Sequence, residues 1–194
     1  MKQKIIFFIL VVLFASLKGS SQDRQLRYSS VNTFGVLNGG MGADWQVQTV
    51  QGIRYKTLYA GIGAGIDNYF RKTIPVFLDL RKNIFEREKT PFLYLDLGGS
   101  YPYKKNESGS SWTGSYTSTF KKGYYYDAGI GYNIPFSGRF AAVISVGYSQ
   151  KSLEEEQVFT NYPYDPRIYA PWMHTNDHYA YTLRRFSLRT GISF

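Results

Sequence analysis

Two histidines, His174 and His178, flank Asp177 late in the chain, and an imidazole beside a carboxylate is the pairing from which general bases are built. Catalysis there would need a nucleophile or an activated water within hydrogen-bond reach, and no serine-containing motif singles one out. These histidines with the acidic run Glu154-Glu155-Glu156 are too few to hold a metal, and the absence of cysteine excludes a thiolate site. No glycine-rich loop of the phosphate-cradling kind occurs. The reading is no catalytic residues, no metal and no cofactor, with both histidines and the three glutamates as solvated loop groups.

A second set is more ordered. Asp67, Asp79, Arg81, Asp96, Asp127, Arg185 and Arg189 each sit inside an alternating apolar segment, on the parity opposite to the apolar side chains. In the last segment Phe186, Leu188, Ile192 and Phe194 share one parity and Arg185, Ser187, Arg189 and Ser193 the other. Strand side chains alternate between faces, so one face carries aliphatics and aromatics while the other carries charge. Charges of both signs spread over different strands imply ion pairs across an interior, because an unpaired charge in a narrow lumen is expensive.

The elements that must position this set are strands. Alternation and turn residues give eight, at 28–38, 42–52, 55–69, 74–84, 91–103, 120–134, 139–150 and 178–194. Tight connections fall at Asn38-Gly39-Gly40, Gln51-Gly52-Ile53-Arg54 and Pro135-Phe136-Ser137-Gly138, and long ones at Lys104–Thr119 and Lys151–Asp177. In an up-and-down barrel alternate connections share an end, which puts both long loops together. The strand from Phe140 to Tyr148 places aromatics at its ends and Ala142, Ile144 and Val146 between them. At a tilt near 40° that span projects to roughly 20 Å, close to the apolar band of an outer-membrane barrel. The fold expected is an all-β, eight-stranded antiparallel up-and-down transmembrane β-barrel with its apolar parity facing lipid. A soluble lipocalin-like carrier would need the reverse, the aliphatic parity inside.

Residues 1–21 read as a secretory signal peptide: Lys2 and Lys4, an apolar run from Ile5 to Leu17, then Gly19, Ser20 and Ser21. The barrel is then 22–194, and removal of Lys2, Lys4 and Lys18 lowers the net charge from +9 to +6. Without cysteine, an exported domain of this kind is held by strand pairing and packing alone.

The whole mature chain resembles the small outer-membrane β-barrels of Gram-negative bacteria, the outer-membrane protein A-like or porin family type. The resemblance rests on the segment ending in Phe194 and on Gly52-Ile53-Arg54-Tyr55-Lys56 followed by Gly61-Ile62-Gly63-Ala64-Gly65-Ile66-Asp67. It implies residence in the outer membrane, with Phe186, Leu188, Ile192 and Phe194 as the signal read by the barrel-assembly machinery. It also implies a lumen plugged by side chains and a non-enzymatic role in the envelope. A narrow porin-like channel and a lipid A-modifying enzyme are the alternatives.

Lys104, Lys105, Lys121, Lys122 and Lys151 bracket the long connections, so they ring the extracellular end, where lipopolysaccharide phosphates lie. The expected partners are outer-membrane lipids and lipopolysaccharide. A protein partner would meet the rigid aromatic loop around Tyr162-Pro163-Tyr164 and Trp172. Nothing in the sequence argues for nucleic acid.

Overall fold

The computed structural model describes residues 26–111, 114–161 and 173–194. The expected signal peptide at 1–21 and the aromatic loop at 162–172 lie outside these residues. Ten strands run through the described residues: β1 (Leu26–Gly39), β2 (Gly42–Tyr55), β3 (Leu58–Asp67), β4 (Thr73–Asn83), β5 (Thr90–Pro102), β6 (Asn106–Ser111), β7 (Gly114–Lys121), β8 (Gly123–Ser137), β9 (Phe140–Asn161) and β10 (Met173–Ser193). Eight of them close an antiparallel barrel in the order β1-β2-β3-β4-β5-β8-β9-β10, because β10 returns to pair with β1 from Val31↔Ser193 to Gly39↔Arg185. Closure leaves no free edge among these strands over the barrel height, which is how an all-β chain without disulfides protects its backbone donors.

The two faces separate as the alternation predicts. Phe186 and Leu188 are 67% and 57% exposed on the outside, while Arg185 and Arg189 on either side of them are 1% and 3% exposed inside. Phe34, Ile62, Leu78, Leu93, Ile130 and Val146 continue the outer apolar surface around the barrel. So much contiguous exposed apolar area is far beyond what a soluble monomer carries. Aromatics gather toward its borders, with Phe136, Phe140 and Phe194 in ring contact at one end and Tyr148 against Phe186 toward the other.

The interior is more aromatic than the charge pattern alone suggests. Val31, Val50, Tyr59, Phe77, Phe92, Tyr94, Tyr125 and Val143 form a buried cluster nearer the end where β1 begins and β10 ends. A smaller cluster of Leu37, Tyr69 and Leu183 closes the opposite end.

Three expectations about the connections are corrected. The turn expected at Gln51–Arg54 lies within β2, and the chain reverses at Lys56-Thr57, where Lys56 takes φ 51°. Gly52 serves close approach instead: a Cβ there would meet the Gly61 backbone at 2.6 Å and the Tyr59 ring at 2.8 Å. The loop expected at 104–119 contains the hairpin β6–β7, and much of the loop expected at 151–177 is strand. In both cases the residues are mostly polar on both faces, so no apolar alternation marks them. They are extended because neighbouring strands supply the hydrogen-bond ladder.

Beyond the rim, β9 and β10 stay paired from Leu183↔Lys151 out to Met173↔Asn161. On the other side of β9, β7 pairs from Lys121↔Glu154 to Gly114↔Asn161, and β6 pairs with β7. These strands form a four-stranded flap, β6-β7-β9-β10, that rises from one side of the mouth.

Candidate functional site

Register brings the interior acids into one row. Asp79 lies directly across from Asp96, and Asp96 from Asp127, with Ser149 and Arg185 next along the same row. All three carboxylates are fully buried. Like charges directly opposite one another destabilise a sheet, so this row requires cations facing it. Arg189 reaches in from β10 and places Nη1 3.0 Å from Asp96 Oδ2 and Nη2 3.9 Å from Asp127 Oδ1. Its Nη1 also donates to Gln48 Oε1 at 2.6 Å, and its guanidinium stands 4.3 Å from the centre of the Tyr94 ring. Arg81 grips Asp79 with two nitrogens, Nε to Oδ1 at 2.8 Å and Nη2 to Oδ2 at 2.6 Å. That fork geometry is one that lysine could not reproduce.

Hydroxyls and amides add to the shell. Tyr94 donates to Asp127 Oδ1 at 2.8 Å and Ser187 to the same oxygen at 3.2 Å. Gln48 Nε2 donates to the Tyr125 hydroxyl at 2.9 Å.

Toward the flap a second centre forms. Asp67 is ion-paired with Lys151, and its Oδ2 lies 3.6 Å from Arg185 Nη1. Lys151 also donates to Thr73 Oγ1 at 2.8 Å, and Arg185 to Ser149 Oγ at 2.9 Å. Here the assignment of Lys151 to the lipopolysaccharide-facing rim is corrected: its side chain is wholly buried in the lumen. The cause is the uninterrupted run of β9 past Gln150, which keeps Lys151 on the inward parity of Ser145, Gly147 and Ser149. With it, four interior carboxylates meet four cations rather than the three guanidiniums expected from sequence.

Lys104, Lys105, Lys121 and Lys122 are exposed at the base of the flap, and Lys121 is ion-paired with Glu156 across β7–β9. Glu154 faces His178 at 3.9 Å and Glu155 accepts from the Tyr181 hydroxyl at 3.1 Å, both on the flap. The residues hidden from sequence reasoning were Lys151, Gln48 and the inward aromatics. The signal for the aromatics was present, since Phe77 shares parity with Asp79, Tyr94 with Asp96 and Tyr125 with Asp127.

The flap is fastened to the barrel at one turn. Between β3 and β4 the chain reverses through Phe70, held at φ 63°, a left-handed value that a bulky side chain rarely adopts. Phe70 packs against Tyr181 of β10 with ring centres 5.0 Å apart. Next to it, Arg71 lies 3.7 Å over the Phe120 ring of β7 and contacts Glu107 of β6 at 2.5 Å. The hydrogen bond from Arg71 holds the Glu107 carboxyl below its ordinary range. A carboxylate depressed in the folded state stabilises at neutral pH and loses that contribution only as pH falls through its lowered value. The latch therefore survives mild acidification and opens only at a pH below the ordinary carboxylate range. Limited proteolysis of the flap across that range should show a step that Glu107→Gln moves to neutral pH; equal cleavage of both proteins at pH 7 would refute the latch.

No protein-family model matches the chain, and no curated protein matches it. Among solved structures it is similar to the outer membrane protein AlkL, determined by solid-state NMR in DMPC lipid bilayers, at 12% identity over 91% of this chain and 92% of that one, with a TM-score of 0.39. The barrel assignment itself rests on the closed ladder of hydrogen-bonded strands.

Proposed function

We propose that this chain is an integral outer-membrane barrel of the outer-membrane protein A-like type, exported by residues 1–21, non-enzymatic, and closed to ions by its own interior. The observation that carries the reading is the inversion of faces. Aliphatic side chains cover the outside, and the Asp/Arg/Lys set fills the inside together with Tyr59, Phe92, Tyr94 and Tyr125. A lipid solvent outside and a charge-paired polar core inside is the arrangement a transmembrane barrel requires. An eight-stranded barrel is just wide enough for side chains to fill it, and here guanidiniums lie across the bore bound to carboxylates of opposite strands.

On this reading the flap end faces the exterior and does the work of the protein. Lys104, Lys105 and Lys122 stand where lipopolysaccharide phosphates lie, and the flap offers Tyr116, Val158 and Tyr179 to a partner. The reading is tested in planar bilayers. The purified chain, shown folded by a shift between unheated and boiled gel bands, should insert and pass no measurable current. Steady single-channel conductance from the folded band would replace this reading with the narrow-channel one.

A further inference from the structure

At the end where β1 begins and β10 ends, the interior charge balance breaks down. Arg27 and Arg54 are direct cross-strand partners on the inward parity of β1 and β2, and the same row continues through Tyr59 to Arg81. Only Arg81 of these arginines has a carboxylate within ion-pair distance among the described residues. Arg139, at the β8–β9 turn, joins Arg27 and Arg54 in lining a cavity of about 530 Å³ at this mouth, where Glu88 is the one acidic residue in the lining. Opposed guanidiniums repel unless an anion lies between them. Every deeper cation of the lumen has its aspartate, so the surplus is confined to this mouth.

The same cavity is lined by Phe140 and Phe194, whose rings touch at 5.9 Å and are 47% exposed on the outer, apolar face. The space thus runs from the arginines to the apolar belt. An amphiphile with an anionic head and an acyl tail fits both halves, whereas a small free anion uses only one.

We propose that this mouth binds an anionic phospholipid of the adjoining leaflet, with its phosphate on Arg27, Arg54 and Arg139 and its acyl chain over Phe140 and Phe194. The inference rests on the membrane-barrel reading, and the experiment separates the two. Folding and insertion are scored first, by heat-modifiable mobility in phosphatidylcholine vesicles; failure there counts against the barrel reading alone.

Folded protein is then taken into mixed phosphatidylcholine and phosphatidylglycerol vesicles, and lipid retained on release is counted by native mass spectrometry. Wild type should retain phosphatidylglycerol selectively, and each of Arg27→Gln, Arg54→Gln and Arg139→Gln should lower that preference about fivefold. Lysine at the same positions should preserve it, which distinguishes charge from a packing defect. The proposal is overturned if the triple glutamine variant keeps the wild-type preference, or if Lys104→Gln with Lys105→Gln at the opposite end abolishes it equally. It is also overturned if inorganic phosphate displaces the retained lipid as readily as added phosphatidylglycerol does.

Discussion

Replacing Lys151 with methionine is expected to destabilise the folded barrel by about 3–5 kcal/mol, the usual cost of removing one partner from a buried ion pair. Methionine keeps the length and apolar stem of the side chain, so the loss reports on charge rather than on a cavity. Without the ammonium, Asp67 is left wholly buried with a single guanidinium at 3.6 Å, and Thr73 loses the donor that bonded it. The check is the urea midpoint of the folded gel band in detergent or vesicles. Asp67→Asn should cost a comparable amount, and the double variant less than the sum, because both substitutions break one interaction. A Lys151→Met loss no larger than that of the exposed Lys104→Met would show that the ion pair contributes nothing net.

Arg189→Met should have the second large effect, again about 3–5 kcal/mol. Arg189 stands against two members of a row of three adjacent carboxylates, and Arg81 is occupied by the third. Its removal leaves Asp96 and Asp127 facing each other without a countercharge across one hydrogen-bonded strand pair. The distinguishing result is rescue. Adding Asp96→Asn and Asp127→Asn to Arg189→Met should recover much of the loss, since neither amide needs a cation and the one at position 127 can still accept from Tyr94 and Ser187. If the triple variant is no more stable than Arg189→Met alone, the arginine acts by filling space and not by neutralising the row.

Both effects concern residues whose inward direction depends on strand parity, which was legible in the sequence for Arg189 but not for Lys151. Alternation over β4, β5, β8 and the end of β10 placed Asp79, Arg81, Asp96, Asp127, Arg185 and Arg189 on one face before any pairing was known. The pattern was readable because a barrel with lipid outside imposes a uniform apolar demand on alternate residues. Where that demand ends, so did the legibility. β6, β7 and the outer halves of β9 and β10 carry serine, threonine and glutamate on both faces, and nothing local distinguishes them from loop.

Lys151 shows the cost of that boundary. Placed at the start of a loop, it belonged with the rim lysines; placed in a continuing strand, it belongs to the lumen. The difference is whether the chain leaves the ladder after Gln150, and this is decided by pairing of Glu154 with Lys121 on β7 and of Leu153 with Tyr181 on β10. Such partners are distant in sequence, so no local pattern announces them.

By itself, then, the sequence determined the fold class, the faces of the alternating barrel strands and all but Lys151 of the paired charges inside, since those follow from a two-residue period and the cost of burying unpaired charge. Tertiary structure decided the register, and with it the particular partners: the aspartate row across β4, β5 and β8, the fourth cation Lys151 on Asp67, the unbalanced arginines at the opposite mouth, and the flap latched to Arg71. The physical reason is that parity is a property of one strand, whereas an ion pair is a property of two or more, fixed only when the barrel closes and sets which residues stand opposite each other.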